Sequence, residues 1–109
     1  MSGWFDKKKP GERRARGFGF ARYKNIASYA AIVAEVHVDK DVALKHVWCA
    51  ADAGLVISPD GAKNQLEGGI IQGASFVMRE QVRFEGGRSA LREWKDYPIL
   101  RFSDIPEIE

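Results

Sequence analysis

One stretch of the sequence, from Ser58 to Glu80, constrains the fold most strongly, because its apolar residues recur at the spacing of an α-helix. Ser58 can cap the first turn, and Pro59 suits the first helical position because the missing N–H would have no partner there. The recurring apolar or small residues are Leu66, Ile70, Gly73 and Val77, and the stripe is widened by Ile71, Ala74 and Met78. We therefore predict one long helix that is buried over much of its circumference.

Three glycines interrupt this predicted helix, at Gly68, Gly69 and Gly73. Each lowers helix stability by about 1 kcal/mol relative to alanine, which predicts that another backbone or a ligand approaches closely. On this interpretation Gly69→Val would strongly destabilise the fold. Gln65 and Gln72 lie two turns apart on nearly the same face, and an amide that both donates and accepts hydrogen bonds suits a heterocycle or a phosphate.

Charge is distributed unevenly along a chain of 109 residues, a length that allows one domain. The net charge is +2, but residues 1–16 hold six basic and two acidic side chains, and we predict that they form a flexible basic segment. No apolar run approaches the roughly 20 residues of a membrane span, and the N-terminus lacks the apolar core of a signal peptide. Neither a membrane span nor a signal peptide is therefore predicted.

The remaining pattern predicts strands. We predict a hairpin over residues 29–52 with a short polar turn at Lys40-Asp41, and Gly86-Gly87 indicates a second turn. The predicted strands are 17–24, 29–39, 42–52 and 81–85, while the acidic residues 103–109 contain no predicted closing element. The fold class we predict is α+β, with a mainly antiparallel sheet and one long glycine-containing helix packed on it.

The candidate reactive side chains have simple structural interpretations. His37 and His46 fall on separate strands of the predicted hairpin with no obvious third ligand, whereas structural zinc requires four. Cys49 is the single cysteine and lies in an apolar run, which favours core packing. We predict no metal site and no catalytic residue in this chain.

One local motif suggests RNA binding. Residues 16–23 (RGFGFARY) resemble the RNA-contact strand of an RNA-recognition motif at all but one position, where Ala21 replaces valine. In that fold the strand follows a strand, a helix and another strand, but only 15 residues precede Arg16. The order of elements therefore argues against this fold, and no nucleic-acid partner is expected.

A second resemblance covers residues 17–109. Its motifs are RGFGFARYKN, AAIVAEVHVD, CAADAGLVISPDGAKNQLEGGIIQGAS and YPILRFSDIPEIE. They are similar to the molybdopterin-binding large subunit of the xanthine dehydrogenase and aldehyde oxidase family. The branch with the strongest resemblance contains isoquinoline oxidoreductase, nicotinate dehydrogenase and bacterial aldehyde dehydrogenases. The resemblance implies that residues 17–109 are a fragment of a molybdopterin-binding domain.

The resemblance also implies an activity for the complete enzyme, namely hydroxylation of an aldehyde or an N-heteroaromatic ring. It implies a molybdopterin cofactor in its cytosine dinucleotide form, with an iron–sulfur subunit and the rest of the large subunit as partners. By position, Gln65 matches the glutamine of the Gln-x-Glu-Gly motif that contacts the cofactor in this family. The enzyme would be cytoplasmic, or periplasmic as part of its complex.

The family's catalytic base is a glutamate in a Gly-Glu motif downstream of the matching segment. We therefore expect this chain to bind no cofactor by itself and to be inactive alone. The alternative is a free-standing, non-catalytic module that binds a nucleotide, RNA or a protein through the exposed helix face.

Overall fold

The structure is a computed structural model that describes residues 13–109. Residues 1–12, which make up most of the predicted flexible segment, lie outside the described residues. The described elements, in chain order, are β1 (Arg14–Tyr23), β2 (Ser28–Val38), β3 (Val42–Asp52), α1 (Pro59–Met78), β4 (Phe84–Glu85), β5 (Arg88–Ser89) and β6 (Glu107–Ile108).

Four of these strands form one sheet in the order β1-β2-β3-β6. The pairs β1–β2 and β2–β3 are antiparallel, and β6 adds to β3 in parallel. A bulge between Glu35 and Val36 shifts the β2–β3 register. The predicted α+β fold with a mainly antiparallel sheet is confirmed.

Local turn chemistry explains the two hairpins of the sheet. Lys24 and Asn25 have positive φ angles of 47° and 65°, which reverse the chain tightly between β1 and β2. Between β2 and β3, the Val42 N–H donates to Asp41 Oδ1 over 2.8 Å. The predicted 29–52 hairpin is confirmed, while β1 begins at Arg14 and therefore includes three residues that the sequence assigned to the flexible segment.

The C-terminal residues add an edge strand to the sheet, whereas the sequence predicted no element there. Glu107 and Ile108 pair with His46 and Val47, and the Glu109 N–H donates to the Val47 carbonyl over 2.9 Å. A two-residue strand is too short to show alternation, so its pattern could not be recognised. The predicted turn at Gly86-Gly87 does form and joins β4 to β5.

The two faces of the sheet differ in chemistry, because strand side chains alternate between faces. On β2, Ala30, Ile32, Ala34 and Val36 line a cavity together with residues of α1, so this face is directed toward the helix. The opposite face carries Glu35, which is paired in register with Arg16 of β1 and His46 of β3.

Burial is sparse in the described chain. Only four of residues 13–109 are buried, namely Glu35, Val47, Ser75 and Pro106. The prediction of a buried helix is wrong for this chain, since Ser75 is the one buried residue of α1 and Val77 is 87% exposed. The helix covers one face of the sheet without closing on it. No helix of residues 13–109 is both long and apolar enough to cross a membrane.

Candidate cofactor-binding helix

The start of α1 follows from its first residues as predicted. Ser58 is the N-cap, and its Oγ accepts a hydrogen bond from the Gly61 N–H over 3.3 Å. Pro59 occupies the first turn, and Asp60 places a negative charge near the positive end of the helix dipole. This anchors the helix start and thereby fixes the position of the Gln-x-Glu-Gly motif within its second and third turns.

Gln65 is exposed on this helix. Its side chain lies at the cavity between α1 and the sheet, while Gln72, two turns later, is also exposed. Beside Gln65, Lys63 and Glu67 form an ion pair with Nζ and Oε1 3.7 Å apart. The helix therefore presents two amides at helical spacing, each able to donate and accept hydrogen bonds.

The helix glycines are not approached closely within residues 13–109. A Cβ added at Gly68, Gly69 or Gly73 would have no neighbouring atom within 4 Å, apart from the local helix backbone and adjacent residues. The close approach that the sequence predicted is thus not made by the described chain. Any group that requires these glycines must come from elsewhere.

A large apolar cavity separates α1 from the sheet. Its volume is about 680 Å³, and we define it as the interlayer groove. Most of the β2, β3 and α1 residues that line it are aliphatic or glycine, with Gln65 and Cys49 among the remainder. Burial raises the pKa of the Cys49 thiol, which agrees with the predicted apolar setting.

A polar cluster joins the end of α1 to the C-terminal segment. Ser75 Oγ donates to Glu80 Oε1 over 2.5 Å, and the Tyr97 hydroxyl donates to Glu80 Oε2 over 2.5 Å. The Leu100 N–H in turn donates to Ser75 Oγ over 3.0 Å. The hydrogen bond to the Glu80 carboxylate raises the pKa of the Tyr97 phenol. The sequence did not identify this structural role of Glu80.

A second polar cluster lies on the sheet face opposite α1. Arg16 Nε donates to Glu35 Oε2 over 2.6 Å, and Arg14 Nη1 lies 3.7 Å from Glu35 Oε1. His37 Nε2 lies 3.4 Å from the same carboxylate. Burial alone would raise the pKa of Glu35, but the hydrogen bond and charge of Arg16, together with Arg14, lower it overall. The buried carboxylate is therefore ionised and paired.

The structure places His37 and His46 with different carboxylates. His46 Nδ1 lies 3.5 Å from Glu107 Oε2, and its Nε2 lies 3.0 Å from Glu109 Oε1. His46, Glu107 and Glu109 each offer one potential ligand atom, and these three atoms lie within 4.8 Å of one another, so the cluster could hold a cation. Both carboxylate side chains are largely exposed, and exposed acidic groups commonly lie together without a bound ion. The sequence missed this cluster because β6 was not predicted.

Comparison with known proteins decides the family. A family model described as the molybdopterin cofactor-binding domain matches residues 2–106.

The chain belongs to this family.

Relatives of this chain agree with the match. It is 42% identical over 105 residues to a nicotinate dehydrogenase subunit of Pseudomonas putida, covering 88% of this chain and 9% of the relative. It is 40% identical to the beta subunit of isoquinoline 1-oxidoreductase of Brevundimonas diminuta, over 86% of this chain and 12% of the relative. It is 33% identical to a Bacillus subtilis protein named as a probable xanthine dehydrogenase subunit, over 77% of this chain and 12% of the relative.

The family resemblance found in the sequence is thus confirmed, and the chain spans only about a tenth of the length of these relatives. The comparisons assign no role to Gln65, whose contact with a cofactor stays a prediction.

Proposed function

We propose that this chain forms part of the molybdopterin-binding subunit of an oxidoreductase and supplies one wall of the cofactor site. The match of residues 2–106 to the molybdopterin cofactor-binding domain carries this proposal. The names of the relatives support the oxidoreductase class, since they include a dehydrogenase of nicotinate and an oxidoreductase of isoquinoline. The proposed substrates are accordingly N-heteroaromatic compounds or aldehydes.

The finer features rest on the resemblance to the same branch. The cofactor would be the cytosine dinucleotide form of molybdopterin, and the electrons would leave through an iron–sulfur subunit. Three of the relatives are each named as one subunit of an enzyme, which supports an assembly of several polypeptides. The complete enzyme would work in the cytoplasm or, exported with its complex, in the periplasm.

The described residues fit one edge of such a cofactor. The exposed amides of Gln65 and Gln72 offer donors and acceptors to a pterin ring or a phosphate. The interlayer groove does not fit it, because no lysine or arginine among residues 13–109 lines that cavity. When bound, the cofactor supplies the redox centre, while this chain's residues bind and orient it. We place residues 17–109 in the cofactor-binding domain, together with the start of β1 at Arg14.

Gln65 is the residue we propose for the cofactor contact. Replacing it with alanine in the complete subunit would remove the proposed hydrogen bond to the cofactor while the helix is retained, because alanine is a strong helix former. We expect cofactor affinity to fall about tenfold, the effect of losing one hydrogen bond to a charged group. Molybdenum and released pterin per polypeptide provide the measurement.

Asn64→Ala is the matched control, since Asn64 is the adjacent exposed amide on the same helix. We expect this variant to retain the cofactor content of the unaltered subunit. Equal molybdenum and pterin contents in the Gln65 and Asn64 variants would contradict the role of Gln65. Absence of pterin from the unaltered subunit would contradict the proposed function itself.

A further inference from the structure

The interlayer groove is too open to be a finished protein interior. Its sheet side includes Ala30, Ile32 and Val36, and its helix side includes Ile70, Ala74 and Val77. Native interiors are packed to the density of organic crystals, with few voids larger than a water molecule. The groove is open to solvent, and residues 13–109 leave about 680 Å³ between its two apolar layers unfilled. The two layers therefore require a third component between or beside them.

The helix side of the groove is prepared for close contact. Gly69 and Gly73 both line it, four residues apart, and in the part of the chain that the structure describes a Cβ at either position would have no non-local neighbour within 4 Å. Each glycine lowers the stability of an isolated helix. Glycine at positions 69 and 73 is explained physically if another backbone packs against this side of the helix.

The side chains that line the interlayer groove indicate which kind of group can fill it. Among residues 13–109, Gln65 is the one lining side chain with a hydrogen-bonding amide, and no charged side chain of these residues lines the groove. A phosphate-bearing cofactor would lose its hydration there without compensating partners. An apolar stretch of polypeptide would instead remove both layers from water without burying unpaired charge.

The comparisons indicate where that polypeptide comes from. The chain matches 9% and 12% of the length of two relatives, so about nine-tenths of a subunit of that kind lies outside the segment matched here. Resting on the proposed function, we propose that the interlayer groove is the docking site for an apolar segment of the remainder of the molybdopterin-binding subunit. In the complete subunit this segment lies against Gly69 and Gly73.

Cys49 provides a reporter inside the groove. It is the single cysteine of the chain and lines the cavity. Trypsin cleavage after Lys45 and Lys63 releases it in the peptide of residues 46–63, so alkylation by iodoacetamide can be followed by mass spectrometry even in a larger protein. We expect alkylation in the complete native subunit to be at least tenfold slower than in the isolated chain at the same pH.

A pair of neighbouring variants tests the groove itself. Gly69 lines the groove and Gly68 does not, although both are helical glycines with open space at the Cβ position. In the complete subunit we expect Gly69→Lys to restore fast alkylation of Cys49, because a charge then occupies the docking site. Gly68→Lys should leave Cys49 protected.

Three results would overturn the proposal. One is equal alkylation rates in the complete subunit and the isolated chain, and another is the same effect from both lysine variants. The third is protection of Cys49 that requires a dimer of this chain by light scattering, since a second copy would then be the occupant. Pterin content is measured on the same samples. Groove-dependent protection without pterin would leave the docking site standing and reject the proposed function.

Discussion

At the scale of single residues, Glu80 connects α1 to the C-terminal segment. It accepts hydrogen bonds from Ser75 and Tyr97, and Ser75 accepts one from the backbone of Leu100. The sequence could not reveal this cluster, because Glu80 and Tyr97 are 17 residues apart and no periodicity relates them. Contacts of this kind depend on how the chain returns after the β4–β5 hairpin.

Tyr97→Phe tests the cluster. The variant removes the hydroxyl that donates to Glu80. Because Glu80 also accepts from Ser75, the hydrogen bond from the Leu100 N–H to Ser75 Oγ should weaken. We expect hydrogen exchange of the Leu100 amide in the complete subunit to become roughly three- to tenfold faster. Tyr29→Phe is the control, because the Tyr29 hydroxyl donates to an exposed turn carbonyl at Asn25. An unchanged Leu100 rate in the Tyr97 variant would contradict the role of this hydrogen bond.

Glu35 gives the sheet a defined response to acid. The folded state lowers its pKa below the usual 4.5, so its contribution to stability is complete above that pH. The contribution is lost as the pH falls through the lower, folded-state pKa. In the complete subunit, Glu35→Gln should therefore flatten the decrease in unfolding temperature between about pH 5 and pH 3. Exposed Glu85→Gln should keep the original slope, and an equally steep slope in the Glu35 variant would count against this account.

At the scale of elements, the sequence correctly predicted the features of helices and strands that depend on short-range interactions. The Ser58 cap, the Pro59 start and the whole of β3 agree with the structure, because caps and alternation act over a few residues. Burial of α1 was predicted wrongly, since apolar periodicity shows that a helix face needs a partner but not which polypeptide supplies it. The described sheet lies opposite that face and leaves it open.

Gly69→Ala should have opposite effects in two contexts. No non-local atom of residues 13–109 lies within 4 Å of an added Cβ, so in the isolated chain the variant should stabilise α1 by about 1 kcal/mol. This corrects the expectation that a side chain at Gly69 disrupts the fold of the chain itself. In the complete subunit the gain should vanish, because the docked segment occupies that space. Helicity by circular dichroism and the unfolding temperature of the subunit measure the two effects.

At the scale of the whole molecule, residues 13–109 do not form a closed core. Val47, at 2% exposure, is the one buried residue with a large apolar side chain in the part of the chain that the structure describes. Phe18 and Phe20, on the sheet face away from α1, are 65% and 63% exposed. Both sheet faces therefore present apolar surface, which is typical of a layer taken from a larger protein.

Membership of the molybdopterin-binding family could be predicted from the sequence because its motifs are short and contiguous. The assembled cofactor site could not, because a site of this kind is built from several segments, and the proposed contact at Gln65 would be only one part of it. We accordingly expect no oxidation of aldehydes or N-heteroaromatics by the purified chain with added cofactor. An electron-acceptor assay checks this, and measurable turnover by the chain alone would contradict it.

The most direct measurement is the amount of molybdopterin retained per polypeptide after gel filtration, compared between the isolated chain and the complete subunit. We predict near-stoichiometric cofactor in the complete subunit and almost none on the chain alone, because we propose that this chain supplies only one wall of the site. Stoichiometric retention by the isolated chain would show that the site is complete within these 109 residues. A complete subunit that retains no pterin would contradict the assignment of this chain to a working molybdopterin site.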